Sequence, residues 1–145
     1  MPITDGLDQA IINSALNLLR ADLGPPPLVV IDGPVPAGTQ VNAGYVVVYA
    51  GLTRPSEDPD NALNGRTGVW IARWICHCVG GSAVASRAVA QRVRTALLDL
   101  SPTIPGFGAV GLIRMDGDET PPQPDETTGQ PVLDTIVTYR LRAMS

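Results

Sequence analysis

GVWIARWICHCV (residues 68–79) runs into GG (80–81) and then SAVASRAVAQRVRTALLD (82–99), and the fold of the whole chain turns on how these 32 residues are read. Successive side chains of a strand point to opposite faces, and in 68–79 the two sets differ in kind. Trp70, Ala72, Trp74, Cys76 and Cys78 make one wholly apolar face, whereas Val69, Ile71, Arg73, Ile75, His77 and Val79 make a second face in which two polar heads interrupt apolar residues. The first face reads as core and the second as a surface for a partner. Gly80 and Gly81 let the backbone reverse, and Ser82 is placed to accept the first free N–H groups of a helix as its N-cap. Over that helix Val89, Val93, Leu97 and Leu100 recur at helical spacing, with Arg87, Gln91 and Arg94 on the opposite side. The helix is expected to fold back onto the tryptophan face.

Outward from this unit, Thr4 or Asp5 to Ala21 reads as a helix with Leu7, Ile11, Ala15 and Leu18 as its inner stripe, widened by Ile12 and Leu19. Leu28–Ile31 and Tyr45–Ala50 are β-branched runs bounded by Pro and Gly, and both read as strands. Ala109–Met115 reads as another. The chain closes with VLDTIVTYRLRAM, in which Leu133, Thr135, Val137, Tyr139 and Leu141 form the buried set of a final strand and Asp134, Arg140 and Arg142 fall in the other. Two polar, proline-bearing stretches interrupt this order: Leu52–Thr67, with Glu57, Asp58 and Asp60, and Asp116–Pro131, with Asp116, Asp118, Glu119, Asp125 and Glu126. Neither has enough apolar surface to order itself, so both are expected to be exposed arms that fold against a partner. The expectation is one α+β domain over residues 1–145: a small, largely antiparallel sheet of four to five strands with two helices on one face.

Composition narrows the functional classes. A chain of 145 residues, 44% hydrophobic and 17% charged, can bury roughly two thirds of its unfolded surface and needs no disulfide or metal to fold. All 10 basic residues are arginine, and 14 acids leave a net charge of -4. That balance excludes a nucleic-acid grip, which requires a basic surface, and the lack of lysine excludes lysine-based covalent chemistry. Cys76 and Cys78 lie two apart on one strand with parallel side chains, so they do not pair, and free buried thiols fit a reducing compartment. No basic leader precedes an apolar run and no stretch approaches membrane-spanning length, so no membrane is expected and the protein stays in the cytoplasm unless it leaves in a particle.

The motifs that carry chemistry each meet a plainer reading. Gly106-Phe-Gly-Ala-Val-Gly111 has the letter pattern of a dinucleotide loop, but it leads into a strand where that site requires a helix. Cys76-His77-Cys78 looks metal-binding, yet alternation sends His77 away from both thiols. Asp116, Asp118 and Thr120 match the start of a calcium loop, but Pro121 stands where Gly is needed and Thr127 where Glu is needed. The only His lies mid-strand and no activated nucleophile is visible. The sequence therefore calls for no enzyme, no cofactor and no metal.

The run WICHCVGGSAVASRAVAQRVRTALLD, the GFGAVGLIR strand, the loop PPQPDETTGQP and the closing VLDTIVTYRL together resemble the tail terminator proteins of long-tailed phages, particularly those of actinobacterial hosts. The likeness extends from Tyr45 to the end and rests on the order and spacing of elements rather than on catalytic residues; the length and proline content of Leu52–Thr67 depart from it. The resemblance implies a homo-hexameric ring that caps the tail tube protein, ends its polymerisation and meets the head-to-tail connector proteins, with DNA only in passage through the channel. It places the protein in the virion. Rings need side-to-side contacts that close, and two-sided strands, arms and arginines are suitable material. Arg73, His77, Arg87, Arg94, Arg140 and Arg142 are the candidate interface residues, and the arm acids Glu57, Asp58, Asp60, Asp116, Asp118, Glu119, Asp125 and Glu126 the candidate arm contacts. Two other readings stay open: a head-completion or connector ring protein of the same neck, and a small enzyme or ligand-binding domain using the Gly106–Gly111 turn.

Overall fold

The computed structural model describes residues 3–36, 44–54, 68–125 and 132–144. Two helices, α1 (Ile3–Arg20) and α2 (Ala83–Leu97), pack on one face of a mixed sheet built from β1 (Val30–Asp32), β2 (Tyr45–Thr53), β3 (Val69–Gly80), β4 (Ala109–Val110), β5 (Arg114–Met115), β6 (Gln123–Asp125) and β7 (Val132–Met144). The order is β1-β2-β3-β7, with β4, β5 and β6 following one another along the far edge of β7. The fold is α+β, as the period changes in the sequence imply. The sheet is not antiparallel throughout, because β1 runs parallel to β2. Among the described residues no helix is long and apolar enough to cross a membrane.

The alternation in β3 sets the core. Trp70, Ala72, Trp74, Cys76 and Cys78 are all buried in one cluster with Ile11, Ala15, Leu16 and Leu19 of α1, Val89, Val93 and Leu97 of α2, and Val137, Tyr139 and Leu141 of β7. Trp74 donates its indole N–H to the Ile12 carbonyl at 3.2 Å, which fixes α1 to the same face as α2. The turn between β3 and α2 is decided by contact as well as by flexibility. A Cβ on Gly80 would lie 2.6 Å from the Ser86 nitrogen, so only glycine allows the helix to start so close to the strand, whereas a Cβ on Gly81 would meet open space. Ser82 caps the helix, its hydroxyl accepting from the Ala85 N–H at 3.1 Å.

Several boundaries differ from the sequence reading. Leu16 and Leu19 are fully buried while Leu18 is only partly so, which rotates the inner face of α1 away from the Leu7–Leu18 stripe. Leu100 lies beyond α2 and is 40% exposed, because the chain leaves the helix at Leu98. Leu52 and Thr53 are strand rather than arm, and residues 55–67, with Glu57, Asp58 and Asp60, lie outside the described residues. The expected strand 109–115 is two short pairings with β7, separated where the Ile113 N–H and carbonyl bond instead to Leu100 and Asp99.

The larger correction concerns 116–125. These residues are not free of their own domain: the Asp116 and Thr120 N–H groups donate to the Thr138 and Ile136 carbonyls, Thr120 Oγ1 accepts from the Ile136 N–H at 2.9 Å, and β6 pairs with β7. Side-chain burial contributes little to the order of this polar segment. What orders this segment is the open backbone edge of β7, which offers N–H and C=O groups to any chain that can lie beside it.

Candidate assembly surface

The face of the sheet turned away from both helices carries the remaining chemistry. Register places Tyr45, Val47 and Tyr49 of β2, Arg73, Ile75, His77 and Val79 of β3, and Val132, Asp134, Ile136, Arg140 and Arg142 of β7 on it together. Its two ends differ. Toward the Gly80 end, Tyr45, Val47, Val79 and Val132 are buried in a second, smaller cluster covered by Ile31 and Val35. Beside this cluster His77 Nδ1 lies 2.7 Å from Asp134 Oδ2, and the Tyr49 ring meets the imidazole edge-on with centroids 5.4 Å apart. A cavity of about 320 Å³ opens here, lined by Val47, Tyr49, His77, Val79, Asp134 and Ile136 with Val35, Gln123 and Pro124.

Toward the opposite end the face is basic. Arg140 of β7 stands directly across from Arg73 of β3 on one side and from Arg114 of β5 on the other. Like charges side by side cost free energy unless each has a counter-ion. Arg73 has Asp116 at 2.8 Å and Arg114 has Asp99 at 2.7 Å. Arg140 and Arg142 are exposed and have no ion-pair partner among the described residues.

No protein-family model matches this chain, and no curated protein matches it. Among solved structures, a chain of the virion of a native gene transfer agent particle aligns over 96% of this chain and 98% of its own, with a TM-score of 0.70 and 14% identity. The two chains share a fold. A second solved protein aligns over 97% of this chain and 94% of its own, at a TM-score of 0.52 and 17% identity. Coverage of this extent means that the likeness is to the whole fold, not to a local motif.

The structure sorts the residues singled out in the sequence. Arg73 and His77 lie on the face away from the tryptophans, and Arg87 is exposed on α2. Arg94 is half-buried and bonded to Glu119 at 2.9 Å, so this arginine and Arg73 are already matched within the chain, by two acids read as arm contacts. Asp116 and Glu119 thus reach opposite faces of the sheet and fasten the β7 edge segment to both. Asp118 is exposed, Asp125 is in β6, and Glu126 lies outside the described residues. Cys76 and Cys78 are free and buried, with His77 on the other face, and no group of three or more His, Cys, Asp or Glu side chains among the described residues could hold a metal ion. Burial pushes the Cys76 thiol up to about 12 and raises Cys78 further from reactivity. Gly106–Gly111 is an edge turn: Gly111 donates to the Arg142 carbonyl at 2.9 Å, and among the described residues no helix follows.

Two features escaped the sequence reading. The His77–Asp134 pair joins residues 57 apart, and only the β3–β7 register brings them onto one face. Arg92 makes a two-pronged bond to Asp22, 2.9 Å on each arm, and donates to the Pro26 carbonyl at 2.8 Å, bracing the chain after α1 against α2. The Arg92 guanidinium holds the Asp22 carboxyl below its ordinary range.

Proposed function

We propose that this chain is a structural component of a phage-type virion and that its place is the end of the tail tube, as a tail terminator. The observation that carries the virion reading is the end-to-end correspondence with a chain of the gene transfer agent virion. The finer assignment rests on the resemblance of WICHCVGGSAVASRAVAQRVRTALLD and VLDTIVTYRL to tail terminators, and is supported by a sheet whose outer face carries a cavity and the exposed Arg140 and Arg142. A homo-hexameric ring of such subunits would stop tube growth on one face and receive the head-to-tail connector proteins on the other. Arg87, Arg140, Arg142 and His77 are the proposed contacts. A chain of net charge -4 would let DNA pass without being gripped.

The test is genetic and visual. Removing the encoding gene from the particle that carries it should yield tube-like tails of uncontrolled length, and negative-stain microscopy of the purified protein should show closed rings. Heads accumulating beside detached tails of normal length would instead assign the chain to the connector. Particles of normal yield and form, lacking the protein, would sink the virion reading itself.

A further inference from the structure

Asp134 is the most costly unmatched group of the outer face. It is 8% exposed; among the described residues Oδ2 has the His77 imidazole, and Oδ1 is buried with no hydrogen-bond partner. Asp8 also has an orphaned Oδ1, but its other oxygen is held by the Arg54 guanidinium, a full opposite charge. A buried carboxylate left without a second donor is destabilising, and such a group calls for a specific account. Asp134 lines the 320 Å³ cavity, whose other walls are mainly apolar, Val35, Val47, Val79, Pro124 and Ile136, with the Tyr49 ring, the His77 imidazole and Gln123 at the rim. An apolar shaft, an aromatic edge and one anionic oxygen describe a receptor for a guanidinium on a methylene stem, because arginine is weakly hydrated, stacks on aromatic rings and bonds carboxylates in a fixed fork. If the occupant is another copy of this chain, its cation must be arginine, for there is no lysine.

The same strand supplies the candidate. Arg140 lies six residues along β7 from Asp134, on the same face and about 20 Å away by strand rise. It is exposed, and the acids nearby are already taken by Arg73 and Arg114. Donor and acceptor at opposite ends of one face cannot meet within a subunit, but they match in a neighbour displaced along that face. Where a single Arg140–pocket contact joins each pair of copies the junction is heterologous, and heterologous contacts generate rings when the rotation closes, whereas reciprocal contacts about a two-fold axis would stop at a dimer and refute the head-to-tail junction.

We infer that the cavity beside His77 and Asp134 binds the Arg140 side chain of a second copy of this chain, making the head-to-tail junction between subunits. The inference deepens the ring reading above and rests on it for closure only, not for the junction.

Arg140→Ala removes the donor, and Asp134→Asn removes the carboxylate charge and puts an NH2 donor in place of one oxygen with little change of shape. Self-association would be measured by sedimentation, with circular dichroism to verify folding. Each variant alone should associate at least about 30-fold more weakly than wild type, the loss expected for an arginine anchor at an interface centre, while Arg20→Ala, at an exposed position on α1, should match wild type. An equimolar mixture of the two variants should form a species of twice the monomer mass and nothing larger, because only Arg140 of the Asp134→Asn copy can enter the pocket of the Arg140→Ala copy. Should Asp134→Asn fail to fold, a benzoylphenylalanine at Gln123 on the cavity rim should cross-link to residues 132–144 of another copy. Rings that tolerate Arg140→Ala, or cross-links to any other segment, would overturn the inference and leave the ring reading standing. Open oligomers that need Arg140 would support the inference and refute the ring. A wild-type protein that stays monomeric at millimolar concentration would refute both.

Discussion

Ser86 and Thr135 hold the first turn of α2 to the sheet, and their chemistry makes the consequence of removing either one unequal. Both are fully buried; Ser86 Oγ donates to the Cys78 carbonyl at 2.8 Å and lies 2.7 Å from Thr135 Oγ1. A hydroxyl has a single hydrogen, so with that of Ser86 committed to Cys78, the Thr135 hydroxyl is the donor between them. Ser86→Ala therefore strips Cys78 of a partner and leaves the Thr135 O–H with no acceptor. The cost is about 1–3 kcal/mol, reduced by about 0.5 kcal/mol because alanine favours the helix. Thr135→Val removes one bond and orphans nothing, since Ser86 keeps its bond to Cys78, and should cost about 1 kcal/mol. In Ser86→Ala/Thr135→Val the orphan disappears, so the double variant should be more stable than the sum of the singles by about 1 kcal/mol. Urea unfolding of the four proteins measures this cycle, and the melting temperatures should move by about 2–4 °C per kcal/mol. Additivity within about 0.3 kcal/mol, or a costlier Thr135→Val than Ser86→Ala, would refute the assigned direction of the bond.

Two further outcomes follow from packing and titration. Gly80→Ala should destabilise by about 1–3 kcal/mol, because its Cβ must push aside the Ser86 backbone, whereas Gly81→Ala should be neutral or stabilising; equal effects in thermal melts would mean that Gly80 is there for flexibility alone. From neutral pH stability should be level to about pH 9 and fall as pH climbs toward 12. Above 9.0 the unfolded chain sheds the proton of Cys76, while the folded chain holds it to about 12; Cys78 and Tyr139 are raised by burial in the same sense. Unfolding then releases protons, and rising pH favours it. Urea midpoints across this range should decline less steeply in Cys76→Ala/Cys78→Ala, and maleimide at neutral pH should modify both thiols of wild type only after unfolding. Rapid labelling of the native protein would contradict the burial.

What the amino-acid sequence determined by itself is whatever depends on neighbours in the chain. Alternation in 68–79 placed the tryptophans and thiols inside and Arg73 and His77 outside, since strand parity is a local property. The helical period in 82–99 and the Ser82 cap set α2, and the change of period along the chain implied α+β. What only tertiary structure decided is each feature that joins distant segments. The parallel pairing of β1 depends on which edge of β2 is open, and composition carries no record of that. The stretch 116–125 read as an arm because its side chains are polar, but its order comes from backbone bonds to β7 and from Asp116 and Glu119 meeting Arg73 and Arg94, partners 43 and 25 residues away. For the same reason the His77–Asp134 cavity was invisible beforehand: its two titratable residues stood out as one interface candidate and one ordinary strand residue. Register, not residue type, made them neighbours and left one carboxylate oxygen waiting for a donor.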